Sequence, residues 1–246
     1  MSEPENNPVD DATAHPLPPL EIVFQDEFYV GVNKPSGLRV HRDAFSKREP
    51  AALQLVRDQI GQYIYPVHRL DRSTSGVLLF ALTQDAASKL GECFRAHTVA
   101  KTYLAVVRGH TAEEDTIDHK MRSEKGGAAQ SAVTDYKRLA VTEIPFAVGP
   151  YASARYSLVE ARPRTGRWHQ IRRHMHHLSH PIIGDTWHGD SAHNRFFRKQ
   201  FDIHRLLLAA TDLRFPHPYE GRDIVVQAPL APEFYTVLQQ LGLQRS

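Results

Sequence analysis

The first feature of this sequence that could do chemistry is an aspartate placed among arginines. Asp71 lies between Arg69 and Arg72, in the segment from Pro66 to Gly76, whose end forms a Ser/Thr/Gly turn ahead of an apolar run. Neighbouring cations favour the charged form of a carboxyl group, so Asp71 is expected to stay ionised. An ionised carboxylate in such a setting is a candidate catalytic group, and the alternative is that Asp71 only caps or salt-bridges a turn.

A cluster of arginines without an acidic residue lies further along the chain. It consists of Arg162, Arg164, Arg167, Arg172 and Arg173. Clustered guanidinium groups displace counterions from phosphates, so the cluster predicts contact with a polyanion, with a solvated basic face as the alternative. The formal net charge is only +2, but four of the 28 acidic residues fall in residues 1–20, where no lysine or arginine occurs. The rest of the chain is therefore more basic than the total indicates.

Helical spacing from Arg167 to Leu178 gives one of these arginines a special position. The predicted buried stripe of this helix is formed by Trp168, Ile171, Met175 and Leu178. Arg172 lies at the edge of that stripe, where a partly desolvated guanidinium needs a carboxylate or several carbonyl groups as partners. Asp71 is the acid that the sequence suggests.

Four segments resemble, in the family order, the motifs of the RluA-type RNA pseudouridine synthases. His68 to Gly76 resembles the catalytic HRLDxxTSG motif, and Asn33 to Gly37 resembles NKPxG. Lys101 to Tyr103 is similar to the KxY motif, and Thr165 to His174 is similar to TGRxHQIRxH. Arg172–His174, together with His177–Asp185 and His188–Asp190, resembles the branch of the family that modifies uridine 65 of tRNA.

The resemblance implies an isomerisation in which the bond from uracil N1 to ribose C1′ breaks and C5 is joined to C1′. Asp71 matches the essential carboxylate, which could add to C1′, stabilise charge on the sugar or help to form a glycal. The sequence does not choose among these routes. The partner implied is tRNA or another structured RNA, with ribosomal RNA as the alternative substrate, and no metal or organic cofactor is implied.

The resemblance also assigns roles to further residues. Tyr103 matches a tyrosine that packs on the target uracil, and Arg172 matches the arginine that pairs with the catalytic acid. Arg69 matches an arginine that fills the stack where the flipped nucleotide leaves, and a phosphate contact is its alternative role. The other candidates for RNA binding or base flipping are His68, Arg72, Arg173, Lys34 and Arg167, the last two as backbone-shaping or phosphate-positioning residues.

Periodicity predicts the elements that must position these residues. A hairpin is expected from Glu21–Phe24 and Tyr29–Val32, followed by strands at Val77–Leu82, Lys101–Val107, Ala132–Leu139, Ala154–Ala161, Ile203–Ala210 and Asp223–Gln227. Helices are expected at Ala51–Ile60, from the Thr83 cap to near His97, at Arg167–Leu178 and at Pro232–Leu241. His110–Gln130 is polar and Gly-containing, which predicts a loop or a mobile excursion.

These elements indicate an α+β (mixed α/β) fold with a largely antiparallel mixed sheet. The resemblance implies the pseudouridine synthase fold, with two subdomains flanked by helices and a central catalytic cleft. Residues 1–20 are predicted to be a disordered, acidic, Pro-rich tail, and residues 21–246 the catalytic domain, without the S4 RNA-binding domain of many relatives.

Composition narrows the class of protein further. The chain is 41% hydrophobic and 24% charged, which excludes wholesale disorder. Its longest apolar run, Val77–Leu82, is too short for a membrane helix, and the acidic start is not a signal peptide. The single cysteine, Cys93, fits a reducing compartment. We therefore expect a cytoplasmic monomer without a membrane or an obligate protein partner.

Three rival functions are weaker. His176 and His180 have the spacing of helical metal ligands, but the sequence has no HExxH motif. A serine hydrolase built on Ser73 or Ser75 would need the G-x-S-x-G pattern, which is missing. A non-catalytic RNA-binding protein on the same fold is the serious competitor, and the joint presence of the three catalytic candidates disfavours it.

Overall fold

The computed structural model describes residues 17–42, 49–123 and 126–243. The strands in these ranges are Glu21–Gln25 (β1), Tyr29–Lys34 (β2), Tyr65–Pro66 (β3), Ser75–Ala81 (β4), Ala100–Arg108 (β5), Glu114–Asp118 (β6), Met121–Ser123 (β7), Gly126–Gln130 (β8), Val133–Ile144 (β9), Ala154–Pro163 (β10), Leu208–Pro216 (β11) and Asp223–Gln227 (β12). The helices are Ala52–Ile60 (α1), Gln84–Arg95 (α2), Gln170–His177 (α3), Ser191–Phe201 (α4) and Pro232–Gln240 (α5).

One large sheet organises the described part of the chain. Its order is β1-β2-β4-β11-β5-β10-β9-β6, with β12 also paired to β11 and β3 to β4, while β7 and β8 form a separate hairpin. Neighbouring strands are antiparallel except for β4 and β11. The predicted α+β class and the largely antiparallel mixed sheet are therefore confirmed, and the two halves of the molecule share one continuous sheet.

The parallel contact of β4 with β11 joins these halves and depends on a glycine. Ser75 and Gly76 face Ala209 and Ala210 across the two strands. Gly76 has a φ of 109°, and a Cβ at this position would lie 1.9 Å from the carbonyl oxygen of Ala210. Because only glycine fits this close approach, the Ser/Thr/Gly turn of the sequence fixes where the loop before β4, which carries Asp71, meets the centre of the sheet.

The apolar residues of the sheet pack on helices at both faces. Val30, Leu78 and Phe80 pack with Val56 of α1 on one face. Leu79 packs with Leu90 of α2 on the other. In the C-terminal half, Tyr156, Phe197 and Phe234 join β10, α4 and α5 in a further cluster. Each fully buried apolar side chain contributes about 1.5–3 kcal/mol, so these clusters hold the strands under the cleft in place.

Several predicted elements are confirmed at the level of their capping residues. The β1–β2 hairpin forms antiparallel pairs as expected. Helix α1 ends at Gly61, which adopts the left-handed conformation, and the Thr83 side chain accepts a hydrogen bond from the N–H of Ala86 at the start of α2. Strand β4 is buried along its whole length, as its apolar sequence predicts.

The prediction of a loop at His110–Gln130 is wrong. This stretch contains β6, β7 and β8, with β6 at the edge of the large sheet against β9. Its buried apolar side chains include Ile117 and Met121, while every residue of β8 is exposed. Strands of this kind have no alternating apolar pattern, so periodicity could not reveal them.

Two element starts and one whole helix also differ from the prediction. The helix expected from Arg167 begins only at Gln170, because His169 adopts a left-handed φ of 51°. The strand expected from Ile203 begins at Leu208. Helix α4 was not predicted; its start is capped by the Asp190 side chain, which accepts hydrogen bonds from two backbone N–H groups.

The predicted tail lies mostly outside the described residues. Residues 1–16 belong to the part that the structure does not describe. Leu20 is buried, and its backbone exchanges two hydrogen bonds with the side-chain amide of Gln59, so the last residue of the predicted tail is anchored. None of the described helices is long and apolar enough to cross a membrane.

Candidate active site

An open cleft of about 500 Å³ lies over the seam where β4, β11 and β5 meet. Three of the four motif segments line it: the loop with Asp71, strand β5 with Lys101 and Tyr103, and the turn that leads into α3. The fourth segment, around Lys34, lies next to this loop. The structure thus brings Asp71, Tyr103 and Arg172 into one cavity.

Arg172, which lines the cleft, binds two carboxylates. Its Nε and Nη2 donate hydrogen bonds to both carboxylate oxygens of Asp185, at 2.7 and 2.8 Å. Its Nη1 donates to Oδ2 of Asp71, at 3.3 Å. The Arg172 side chain is 4% exposed and Asp71 is 20% exposed. The pairing expected from the sequence is present, but the shorter, bidentate bond goes to Asp185.

Asp185 is the functional residue that the sequence reasoning missed. It lies in the segment from His177 to Asp190, which was used only to place the chain in a branch of the family. Burial alone would raise the pKa of Asp185, but hydrogen bonds from Arg172 and from the N–H of His188 hold that pKa below its ordinary value. Asp185 therefore stays charged and fixes the guanidinium that faces Asp71.

The side chain of Asp71 does not cap its own turn. The turn is closed by the backbone instead, since the N–H of Thr74 donates to the carbonyl of Asp71. The carboxylate reaches toward Arg172 and keeps only a single, long hydrogen bond from it. The carboxylate therefore keeps acceptor capacity beyond this bond, and Asp71 lines the cleft, as a nucleophile or a charge-stabilising group must.

Tyr103 lies on β5 in the same cleft. Burial raises the pKa of its hydroxyl well above the ordinary value, and the charge of Asp71 raises it further. The hydroxyl is therefore protonated at neutral pH and can donate a hydrogen bond. Its ring packs in the apolar clusters beneath the cleft, which gives a planar surface at the wall.

His169 is a further residue near Asp71. It belongs to the motif from Thr165 to His174, but the resemblance assigns it no role. Its Nε2 lies 3.7 Å from Oδ2 of Asp71, and its Nδ1 lies 3.0 Å from Nε2 of His188. Burial lowers the pKa of His169 to about 4, against the attraction of Asp71, so the ring is neutral at pH 7. The left-handed backbone before α3 places this ring at the cleft wall.

Lys34 and His68 are bound to protein groups. The Nζ of Lys34 donates to the carbonyls of Pro35, Leu38 and Arg72, at 2.8–3.2 Å, and the side chain is fully buried. The Nε2 of His68 accepts a hydrogen bond from the N–H of Leu79, and burial lowers the pKa of His68 to about 3. Both residues shape the loop that carries Asp71.

Two of the four remaining predicted arginines line the cleft. Arg69 and Arg167 line it, and Arg69 is exposed. Arg167 donates to the carbonyl of Ser131, and Arg173 to that of Arg122 in β7. Arg72 donates to the carbonyl of Gly37. Arg72 also lies 3.7 Å from a carboxylate oxygen of Glu49. The backbone carbonyls bound by Arg167 and Arg173 do not neutralise their guanidinium groups, so these two arginines keep their positive charge.

The histidines that could bind a metal ion are not arranged to do so in the described residues. His176 and His180 contact different backbone carbonyls, of His188 and Arg108, and so do not converge on one ion. In the described residues a group with metal-ligand spacing occurs at Asp26, His217 and Glu220. The Nδ1 of His217 already accepts the N–H of Glu220 and its Nε2 faces Asp26, so this histidine has no lone pair left for a metal.

Sequence comparison identifies the class of protein that this fold and cleft define. The family model described as RNA pseudouridylate synthase matches residues 28–177, and the chain belongs to this family. It is an RNA pseudouridine synthase, an isomerase that acts on RNA, which confirms the resemblance of the motifs.

Among individual proteins, the chain is similar to tRNA pseudouridine synthase C of Vibrio cholerae, with 48% identity over 92% of this chain and 98% of that protein. A protein of the same name from Vibrio parahaemolyticus is 50% identical over 86% of this chain and 90% of its own length. Among solved structures, human RNA pseudouridylate synthase domain containing 1 superimposes with a TM-score of 0.70 at 26% identity, covering 92% of this chain and 96% of that one.

Proposed function

We propose that this enzyme converts one uridine of tRNA, at position 65, into pseudouridine and that Asp71 is its essential carboxylate. The observation that carries the proposal is the Asp71 carboxylate held on Arg172 in a cationic cleft. The similarity to proteins named tRNA pseudouridine synthase C supports tRNA as the substrate. Position 65 rests on the segment from His177 to Asp190, which resembles the branch with that specificity.

The proposed chemistry uses the chain's own residues. Asp71 acts at the sugar, by adding to C1′, by stabilising charge there or by assisting glycal formation, while the N1 to C1′ bond breaks. The base turns within the cleft, C5 bonds to C1′, and C5 then loses its hydrogen as a proton. Arg172 orients the carboxylate, and Tyr103 packs on the uracil with a protonated hydroxyl ready to donate.

The arginines at the rim have a role in binding. Arg69 is exposed at the mouth of the cleft, where a planar cation can fill the gap that the extruded nucleotide leaves. Arg72, Arg167 and Arg173 contribute positive charge toward the phosphates, while Lys34 and His68 act by shaping the loop. We also propose that residues 21–246 act as one catalytic domain, in the cytoplasm, as a monomer without metal or organic cofactor.

Tritium release from tRNA labelled at uridine C5 tests the reaction, since forming the C5 to C1′ bond expels that hydrogen. Wild-type enzyme is expected to release tritium, and Asp71→Asn to lower the rate at least ~10³-fold, because the amide cannot act as a carboxylate. The affinity for tRNA is expected to stay within about threefold, since one charge changes in a broad phosphate contact. Activity of Asp71→Asn near that of wild type contradicts the proposed role.

The substrate is tested separately with a matched RNA. A tRNA with cytidine at position 65, labelled at its remaining uridines, is expected to release no tritium. Release from this RNA would place the target at another tRNA position. Tritium release from ribosomal RNA alone would support the alternative substrate. No release from either tRNA or ribosomal RNA would favour a non-catalytic RNA-binding protein.

A further inference from the structure

Trp187 is an exposed aromatic side chain beside the cleft that the reaction described above does not use. It is 66% exposed, although tryptophan is usually highly buried. Its ring meets Trp168 and His169 edge to face, with ring centroids 5.7 and 5.6 Å away. Those two rings stack on each other and line the cleft. Trp187 thus extends an aromatic wall from the cleft to the surface.

The backbone under this ring is tied to the catalytic ion pair. Oδ1 of Asp185 accepts the N–H groups of Trp187 and His188, at 2.9 and 3.0 Å. The same carboxylate holds Arg172, and the carbonyl of Asp185 accepts a hydrogen bond from the side chain of Asn194. These bonds fix the backbone of the turn, so a ligand that binds at Trp187 does not have to order that backbone.

The charge around the aromatic wall indicates what it binds. The Arg173 guanidinium lies over the Trp168 ring, 5.9 Å from its centroid, and also contacts the backbone of the β7–β8 hairpin at Arg122. Exposed aromatic rings interleaved with arginines are the arrangement by which proteins hold unstacked bases and the phosphates that join them. An apolar protein partner would not require the arginine that lies beside these rings.

The short distance from Trp187 to Asp71 limits which base of the RNA can bind at Trp187. Trp187 contacts His169, and Nε2 of His169 lies 3.7 Å from the Asp71 carboxylate. One aromatic ring therefore separates Trp187 from the essential acid. Extruding the target uridine removes a stacking partner from each neighbouring base, so a base next to the target is the one that needs a new partner at this place.

We propose that Trp187 is a stacking platform for the nucleotide adjacent to the target uridine. This inference rests on the proposed function, because it presupposes that Asp71 acts on a flipped uridine. It adds a second base-binding subsite, specific for a flat aromatic face rather than for a hydrogen-bonding pattern. A platform of this kind tolerates any base but requires that a base be present.

The test combines protein and RNA variants. Tritium release is measured under single-turnover conditions with wild type, Trp187→Ala and Trp187→Phe, on intact tRNA and on ligated tRNAs that lack the base on the 5′ or the 3′ side of the target. Tyr151→Ala is the matched control, since Tyr151 is 71% exposed and lies beyond the end of β10 that is remote from the cleft.

On intact tRNA, Trp187→Ala is expected to raise the half-saturating enzyme concentration about tenfold, a typical loss for one base stack. Trp187→Phe is expected to stay within about threefold of wild type, and Tyr151→Ala to be unchanged. On the tRNA without the stacked base, wild type and Trp187→Ala are expected to be equal. An equal loss from Trp187→Ala on every RNA, or no loss on intact tRNA, overturns the proposal.

The same data separate failure of the subsite from failure of the proposed function. Wild-type release from intact tRNA reports on the function alone, whatever Trp187 does. If Trp187→Ala instead disturbs the Asp185 turn, the maximal rate falls on every RNA while half-saturation is unchanged, and this result also counts against the stacking role.

Discussion

Two acids share one guanidinium at the bottom of the cleft, and they share it unequally. Asp185 takes the bidentate bond of Arg172, and Asp71 keeps one longer bond. The positive charge of Arg172 is thus largely neutralised by a residue that does not line the cleft. We propose that Arg172 orients Asp71 while the oxygens of Asp71 stay available for the sugar, which makes Asp185 a positioning residue for the proposed catalytic carboxylate.

The variant Asp185→Asn tests whether Asp185 positions Asp71 through Arg172. We expect the maximal rate of tritium release to fall about 10- to 100-fold with little change in half-saturation, because Arg172 then turns to Asp71 as its remaining carboxylate. The free energy of unfolding is expected to fall by about 3 kcal/mol, since the buried guanidinium loses a charged partner. Single-turnover rates and urea unfolding measure the two effects. A rate equal to that of wild type in a folded variant rules out the positioning role.

Residue types and motif order were enough to predict the acid, the tyrosine and the arginine that meet in the cleft. Asp185 was not predicted because its function comes from a contact with Arg172 that only the tertiary structure creates. The role of Lys34 is a similar case, since only the structure shows three backbone carbonyls around its ammonium group. Partners of this kind leave no local pattern in a single sequence.

Among the elements, the contact between β4 and β11 is the most constrained. A side chain on Gly76 would meet the carbonyl oxygen of Ala210 at 1.9 Å, in a backbone conformation that favours glycine. We expect Gly76→Ala to lower the free energy of unfolding by about 4 kcal/mol or more and to abolish tritium release, because the loop with Asp71 leads into this contact.

Gly91 supplies the control for that prediction. It lies inside helix α2, and a Cβ there would meet only the flexible end of Arg95, at 3.4 Å. Gly91→Ala is expected to stabilise the protein by about 0.5–1 kcal/mol, because alanine is the better helix former. Urea unfolding compares the two variants, and a Gly76→Ala protein as stable as wild type contradicts the steric argument.

The elements that the sequence did not predict share a physical cause. Strands β6, β7 and β8 have few inward-facing apolar residues, and the buried face of helix α4 includes the polar residues His193 and Asn194 beside Phe197. The start of α3 was displaced by the left-handed His169. In each case a tertiary contact overrides the local pattern, whereas β4, α1 and α2 follow theirs.

At the scale of the whole molecule, buried and half-buried histidines make the free energy of unfolding depend on pH. Burial lowers the pKa of His68 to about 3 and that of His169 to about 4, and it also lowers the pKa of His174, His188 and His193. The unfolded chain, whose histidines titrate near pH 6.5, binds more protons than the folded protein between about pH 6.5 and 4. The free energy of unfolding therefore falls as the pH is lowered through this range.

His68→Gln measures one part of this effect. The glutamine side chain can still accept the N–H of Leu79 but does not titrate. Between pH 6.5 and 5.5 wild type is expected to lose up to about 1.4 kcal/mol more unfolding free energy than His68→Gln, the limit for one proton. Urea unfolding at the two pH values gives both differences. An identical pH dependence in the two proteins shows that His68 is not held neutral by the fold.

The two residues of the ion pair in the cleft are synthesised at different times. Asp71 and Arg172 are 101 residues apart in the chain, and β11, which separates β4 from β5 in the sheet, is translated later still. At about 5–20 residues per second, the ribosome produces the loop with the carboxylate roughly 5–20 s before its guanidinium partner. An unfinished chain therefore carries the proposed catalytic acid before the guanidinium that contacts it, so we expect RNA modification to begin only when translation is nearly complete.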